Sequence, residues 1–466
     1  MNDKIDIDSK KVEYDEDLSR EIVLEKLFKS YKYGNLGMFI GAGFSKSIIK
    51  MKRNKALNWL ELIKKTSKEL EIEFPKEEEL IGISLPEVAT KQCKILANRL
   101  SIDYENAKIM FKNKICEITN WLPEEEEINS FKEKFDFLKP AWIITTNYDL
   151  VLETILTGKC KSLSSRDYLS APKDIIPIYH IHGIRREPDT IIITQDDYIP
   201  VFRPNEYRQA KLAMTIREST TLVLGYGLGD MNVLSALDWS KNIYVNKNEY
   251  PYEIIQAFWT KNPKEYPYRD ENGNIIIEID DIESFLDEII SYMKIEEKSY
   301  IENVNKLESI IGNLREVNNE FVNKFKSNEE FRVKLIKVLT KFEYNMINPY
   351  INFFTKCIDE IWDEARKDNG FKFYNTYINI LLDILINYKC KRIPPKLFKI
   401  VANNLNNVLN FICFSKERKL KSQAWDASDS WHKRKNDIPY DMKKELYYYS
   451  KENRLGNVRD FLEDLV

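Results

Sequence analysis

Apolar positions over the first 280 residues fall into short, almost unbroken runs separated by amphipathic stretches. The runs Gly37–Gly41 (GMFIG), Trp142–Thr145, Ile176–Ile181, Thr190–Thr194, Thr220–Gly225, Glu253–Trp259 and Ile275–Ile279 are bounded by Gly, Pro and Asn. Runs of this length predict strands, and those that are apolar throughout predict strands covered on both faces, as in a parallel sheet. Alternating with helical stretches, they read as βαβ units: an α/β fold with a Rossmann-like parallel sheet. Between Trp59 and Phe137 the spacing turns helical and charged, which predicts a small helical insertion over about 58–137 that could roof a pocket.

Beyond about residue 295 the period is helical without interruption. In FRVKLIKVLTKF, Phe331, Leu335, Val338, Leu339 and Phe342 share one face at 3.6-residue spacing. Ten of the 14 glycines precede residue 230, and only Gly273, Gly312, Gly370 and Gly456 follow. The chain is therefore expected to divide into an α/β domain over 1–295 and an all-α domain over 296–466. A length of 466 residues fits two or three cores better than one.

With 43% hydrophobic and 31% charged residues, the chain falls among globular rather than disordered or membrane proteins. Its 71 Lys and Arg nearly balance 74 Asp and Glu, so no global field favours nucleic acid or an anionic membrane. The opening MNDKIDIDSKKVEYDEDLSR has no apolar core of a secretory signal, and a cytoplasmic location is expected. Six scattered cysteines, without a C-x-x-C pair, read as buried thiols rather than a zinc site.

Four motifs carry chemistry. In Gly41-Ala42-Gly43-Phe44-Ser45 a short apolar strand enters a Gly-Ala-Gly turn, which lets backbone N–H groups approach a pyrophosphate; such a turn is also often purely structural. Thr145-Thr146-Asn147-Tyr148-Asp149 follows a strand directly, where ligands sit in open α/β sheets. Asn147 could hold a water or a ribose hydroxyl there, and Asp149 either contacts ligand or caps the next helix through an Asx turn. His180 and His182, two of the three histidines, end an apolar strand before Gly183, and their spacing puts them on one strand face. His182 suits a general base, while a metal held by the pair would need further ligands. Gly225-Tyr226-Gly227-Leu228-Gly229-Asp230 repeats the strand-to-glycine turn, with Asp230 as a helix N-cap.

In order and approximate spacing these motifs resemble the sirtuin family, most closely its bacterial anti-phage branch of sirtuin-like NADases. LPEVA (85–89), ITQDDY (193–198) and IIIEIDDIESFLDEII are further echoes, and the resemblance spans about residues 20–295. Two features of protein deacetylases are missing: the zinc ribbon after His-Gly, and Gly-Ile-Pro-Asp-Phe-Arg after Ser45. What the resemblance implies is therefore cleavage of the nicotinamide–ribose bond of NAD+ with water as acceptor and no metal. It implies catalytic roles for Asn147, which would position water or ribose, and His182 as general base, with Asp149 helping to hold substrate. Gly41, Ala42, Gly43, Phe44, Ser45, Thr146, Gly225, Tyr226, Gly227 and Asp230 would bind the dinucleotide. ADP-ribosyl transfer or cyclisation would use the same residues.

An abortive-infection effector of this kind needs restraint, and the helical domain is the expected regulator. With three glycines and no strand–turn–helix unit, it suits protein contacts: a homo-oligomer, or docking on a HerA-type ATPase or a phage protein. One stretch points elsewhere, since 391–437 holds 11 Lys or Arg against four acidic residues, including Lys433-Arg434-Lys435 beside Trp431. Phosphate contact is the less favoured reading of it, a solvated helix face the plainer one. The competing functional class is a catalytically silent NAD- or ADP-ribose-binding sensor.

Overall fold

The computed structural model describes residues 18–49, 55–198, 207–226, 252–311, 319–342, 347–367, 370–412 and 424–462. The chain forms two compact units, Met1–Glu296 and Glu297–Val466.

In the first unit eight strands form one sheet: β1 (Leu36–Ile40), β2 (Trp142–Thr145), β3 (Cys160–Leu163), β4 (Ile176–His180), β5 (Thr220–Leu224), β6 (Ile254–Trp259), β7 (Tyr268–Arg269) and β8 (Ile275–Ile279). Their order is β3-β4-β2-β1-β5-β6-β8-β7, parallel except for β7 on β8. The period of two explains why the central strands lack polar positions. Met38, Ile40, Ile143, Leu222 and Leu224 enter one core, while Phe39, Trp142, Ile144 and Val223 enter a second across the sheet. From β1 the chain builds β2, β4 and β3 to one side and then returns to lay β5 on the other. The crevice at the carboxyl ends of β1 and β5 is thus the topological switch point, where open α/β sheets bind ligands.

The predicted strand Thr190–Thr194 is not one. Pro188–Thr190 is a 3-10 turn, followed by extended chain outside the sheet. Ile191 and Ile193 bury in a helical core, and the backbone is satisfied off the ladder: Ile192 N donates to His182 O at 2.9 Å, and Ile193 N and Thr194 N donate to the Asp197 carboxylate. That core gathers helices α3 (Trp59–Glu69), α4 (Leu85–Leu100) and α5 (Tyr104–Ile118) around Leu62, Val88, Leu96, Phe111 and Ile115. The expected insertion over about 58–137 does not hold as one body: its last helix, Glu125–Leu138, packs with the sheet layer, where Phe131 and Phe135 meet Phe44 edge-on at 5.4 and 6.0 Å.

The second unit is helical among its described residues. Helix Phe371–Asn387 buries Tyr377, Ile378, Ile380, Leu381, Leu382, Ile384 and Leu385, so it is covered all round. On helix Glu329–Leu339 the expected face is buried at Leu335, Val338 and Leu339, and Arg332 is buried with them. Its Nε lies 2.7 Å from Asp383 Oδ2, while Arg434 reaches Asp383 Oδ1 at 2.6 Å. Arg434 is thus drawn out of the basic run, and Trp431 is fully buried, which removes it as a base-stacking surface. No described helix is long and apolar enough to cross a membrane.

Candidate active site

The two glycine turns pack on one another at the switch point. Gly41 N donates to Leu224 O at 3.0 Å and Gly43 N to Gly225 O at 2.7 Å. Gly225 has φ +62°, and a Cβ there would stand 2.1 Å from Phe44 N; a Cβ on Gly43 would stand 2.8 Å from Gly225 Cα. Backbone-to-backbone contact therefore requires these glycines before any ligand is considered. Gly43 and Gly225 also line a cavity of about 930 Å³, with Ala42, Thr146, Asn147, Asp149, His182 and Tyr226. That volume lies near the upper end of the roughly 300–1,000 Å³ of small-molecule sites.

Asn147 is held on every side but one. Thr145 Oγ1 donates to Ile40 O at 2.8 Å and accepts from Asn147 N at 3.0 Å, tying the residue to β1. The side-chain Nδ2 donates to Gly41 O at 3.2 Å and Ser45 Oγ at 3.1 Å. A carbonyl acceptor at Gly41 fixes the amide's orientation, so Oδ1 is the group Asn147 has left for the cavity. Ser45 Oγ in turn donates to Asp149 Oδ2 at 3.0 Å, and Asp149 Oδ1 accepts from Val151 N at 3.1 Å. The Asx turn is therefore formed, and both carboxylate oxygens are engaged. Burial pushes the Asp149 carboxyl up to about 6, against the lowering by the Val151 amide and the Ser45 hydroxyl.

The two histidines have different neighbours, because β4 ends at His180 and the chain turns through Gly183 at φ +89°. His180 Nδ1 lies 3.0 Å from Asn147 O and Nε2 lies 2.7 Å from Glu153 Oε1, which also accepts from Ser162 Oγ at 2.6 Å. Burial alone would lower the imidazole's pKa, but the Glu153 carboxylate and the Asn147 carbonyl hold it above its ordinary value. Burial alone would raise Glu153, and His180 with Ser162 holds it below. His182 instead lines the cavity, its ring 5.9 Å from Trp59 and 5.7 Å from Tyr198. Among the described residues no three His, Cys, Asp or Glu side chains converge as a metal site requires.

Three residues expected at the ligand, Gly41, Phe44 and Ser45, do not line the cavity, and Gly41 instead packs against the Gly225–Tyr226 backbone. Phe44 is a core side chain beneath the turn, because the helix Ala42–Ile48 turns that position toward Phe131 and Phe135. Ser45 is buried behind Asn147 and Asp149 and supports both. Gly227 and Asp230 lie outside the described residues. Lining residues outside the quoted motifs include Lys46, Trp59 and Trp121, while Tyr148 of the Thr145–Asp149 motif and Gln195 and Tyr198 of ITQDDY line it without having been given a role. Trp59 opens α3, where Asn58 and Glu61 form a capping box that was readable as Asn-x-x-Glu before an apolar stretch. Lys46 Nζ lies 2.9 Å from Glu61 Oε2, linking the glycine turn's helix to the roof.

The residues around this site are similar to known proteins. Residues 141–276 match the model of the SIR2-like domain. The chain is 27% identical over 251 residues, half of its length and 46% of the relative's, to an NAD(+) hydrolase ThsA of Cytobacillus dafuensis. It is 25% identical over 221 residues, 46% of its length and 41% of the relative's, to an NAD(+) hydrolase ThsA of Acinetobacter baumannii. Over 140 residues, 28% of its length and 14% of the relative's, it is 28% identical to defense-associated sirtuin 2 of Bacillus subtilis. The chain thus spans less than half the length of each of these relatives. Residues 141–276, which carry β2 to β6 and much of the switch-point site, are thus similar to a SIR2-like domain.

Proposed function

We propose that the N-terminal unit hydrolyses NAD+ to ADP-ribose and nicotinamide, as an effector of bacterial defence. The observation that carries the reading is the shared cavity: Asn147 and His182 line the same space as the interlocked glycine turns. A glycine turn at a strand's carboxyl end suits the pyrophosphate, and the acceptor and base suit the reacting ribose carbon. The reaction breaks the C1′–N bond, whose electron pair passes to the pyridinium nitrogen and leaves neutral nicotinamide. A water oriented by Asn147 Oδ1 adds its oxygen to C1′, and its proton passes to His182 and then to solvent. Asp149 acts by fixing Ser45 and the start of helix Val151–Ile155 rather than by taking up substrate. The names of the relatives, two NAD(+) hydrolases and a defense-associated sirtuin, support the substrate and the biological setting. The helical unit is proposed to regulate or assemble the enzyme as a homo-oligomer.

The test is NAD+ consumption by the purified protein, alone and with infected-cell extract, followed by chromatography of products beside the His182→Ala variant. ADP-ribose and nicotinamide that vanish in the variant support hydrolysis. Cyclic ADP-ribose or an ADP-ribosylated acceptor would reassign the same residues to cyclisation or transfer. NAD+ bound without turnover under every condition would identify a sensor.

A further inference from the structure

His182 stands two residues beyond the end of β4. Its backbone packs instead on the extended chain that follows Thr190: Ile192 N donates to His182 O at 2.9 Å, and Ile184 N donates to Thr190 Oγ1 at 3.1 Å. Tyr148, next to Asn147 and itself in the cavity wall, donates from its hydroxyl to Ile192 O at 2.7 Å. One short strap thus backs His182 and the neighbour of Asn147, and it goes on to place Gln195 and Tyr198 in the same wall. The strap lies outside the sheet, and one carboxylate gathers it. Asp197 Oδ2 accepts from Ile193 N at 3.1 Å, from Thr194 N at 3.0 Å and from Thr194 Oγ1 at 2.8 Å. Asp197 Oδ1 pairs with Lys112 Nζ of α5 at 2.7 Å, the two side chains being only 12% and 9% exposed. Burial alone would raise the Asp197 carboxyl; the Lys112 ammonium, with the Thr194 and Ile193 amides, holds it below its ordinary value. Two more bonds tie the strap to the roof: Gln195 N donates to Thr90 Oγ1 of α4 at 3.0 Å, and the Tyr104 hydroxyl of α5 donates to Asp196 at 3.0 Å. A buried ion pair is a poor source of stability beside apolar packing, so this one is better explained by the geometry it fixes.

We propose that Asp197, clamped by Lys112, is a positioning residue for the reaction: it holds the strap against which His182 is set in the cavity. The inference rests on the NAD+ reading of the cavity and adds to it the element that aligns the base. Asp197 itself touches no substrate. Asn147 and the glycine turns are tied to the central strands, through Thr145 Oγ1 and Leu224 O, and do not depend on the clamp. Without it the dinucleotide still binds, while His182 loses its placement. A misplacement of about 1 Å costs on the order of a hundredfold in rate, so the clamp acts on the barrier rather than on binding.

The experiment compares the wild type with Lys112→Met/Asp197→Ala, which removes both charges and the acceptor of the two amides, and with Lys112→Met/Asp197→Asn, which keeps an acceptor for them. Each is assayed well below its melting midpoint, so that all are folded. In the alanine variant kcat should fall about tenfold or more with KM for NAD+ within about twofold, and the asparagine variant should recover part of the loss. An unchanged kcat, a loss carried by KM, or equal losses in both variants would overturn the positioning role. If the alanine variant does not fold, Thr90→Val, which removes the acceptor of Gln195 N, makes the same comparison of kcat with KM. If the wild type shows no turnover, the imidazole NMR signals of the three histidines are read instead. The His182 signal should move in Lys112→Met/Asp197→Ala while that of His432 stays; movement of both alike, or of neither, would overturn the inference. Absence of NAD+ binding by the wild type in calorimetry would overturn the NAD+ reading, and the placement of His182 by the strap would still be decided by those signals.

Discussion

His180 grips the main chain of Asn147: its Nδ1 stands 3.0 Å from the Asn147 carbonyl oxygen, while Nε2 is held 2.7 Å from Glu153. Both ring nitrogens are committed, so His180 cannot accept a proton from water without breaking one of these bonds. The imidazole of His182 is the one that borders the cavity. His182→Ala is therefore expected to abolish turnover while circular dichroism stays native. His180→Ala is expected to destabilise the fold by about 3 kcal/mol, because it strands a buried carboxylate. A variant of His182 that retained turnover, with His180→Ala inactive yet fully stable, would reverse the assignment.

The same pair makes stability depend on pH in a defined window. The share due to His180, whose folded pKa is raised from 6.5, is fully present below 6.5 and is lost as pH rises through the folded value. The share due to Glu153, whose folded pKa is lowered from 4.5, is fully present above 4.5 and is lost as pH falls through the folded value. The stability advantage of the wild type over His180→Gln should therefore peak between 4.5 and 6.5 and shrink as pH rises through the folded value of His180. Urea melts of both proteins across that range measure it; an advantage growing with pH would show that the pair is not charged.

Two glycines with similar backbone angles should respond differently to a methyl group. Gly34 at φ +71° has open space around its Cβ position, whereas a Cβ on Gly225, at φ +62°, would stand 2.1 Å from Phe44 N. Gly34→Ala is expected to cost about 1 kcal/mol, the left-handed penalty alone. Gly225→Ala must also move the Gly41–Gly43 turn, so it is expected to cost more than about 2 kcal/mol and to abolish dinucleotide binding. Thermal melting with calorimetric titration separates the two; equal costs would mean the interlocked turns can give way.

The central strands were legible because continuous apolar runs such as TTLVL and WIIT leave few alternatives to a buried parallel strand. Strand β3, CKSL, was not legible, since an edge strand with an exposed Lys161 carries no such run. The segment Thr190–Thr194 has the composition of a strand, but its isoleucines answer to a helical roof that only the tertiary fold supplies. Likewise the motifs named the polar residues at the sheet edge, while Lys46, Trp59 and Trp121 reach the cavity through chain folding rather than through a local pattern. Adjacent motif positions also parted ways: His180 became a support and His182 a wall of the cavity.

The basic run of the helical unit divides in the same manner. Asp383 is fully buried between Arg332 and Arg434, whereas Lys433 is largely exposed and pairs with its helix neighbour Asp429. Asp383→Ala leaves the buried Arg332 guanidinium without its carboxylate and is expected to cost about 3–5 kcal/mol, whereas Arg434→Ala leaves Asp383 paired with Arg332 and should cost less. Lys433→Ala should leave melting unchanged. Filter binding of DNA by Lys433→Ala tests the surface without touching the core; a clear loss of binding would establish the phosphate-contact reading.

Lys46 and Glu61 join the two walls of the cavity at 2.9 Å, and Glu61 also accepts from Asn58 N at 2.8 Å within the capping box. A dinucleotide whose pyrophosphate rests on the glycine turn brings negative charge to the helix that carries Lys46, and competes with Glu61 for the ammonium. Lys46→Met removes the cation and is expected to raise KM for NAD+ about tenfold, with kcat nearly unchanged and with a weaker dependence of KM on salt. Glu61→Gln keeps the capping box, because a glutamine side chain can accept the same N–H, yet releases the lysine for the ligand. KM should then fall below that of the wild type. Steady-state kinetics at low and high salt decide the matter: if both substitutions raise KM alike, the pair serves to hold α3 against the sheet, and Lys46 does not meet the phosphates.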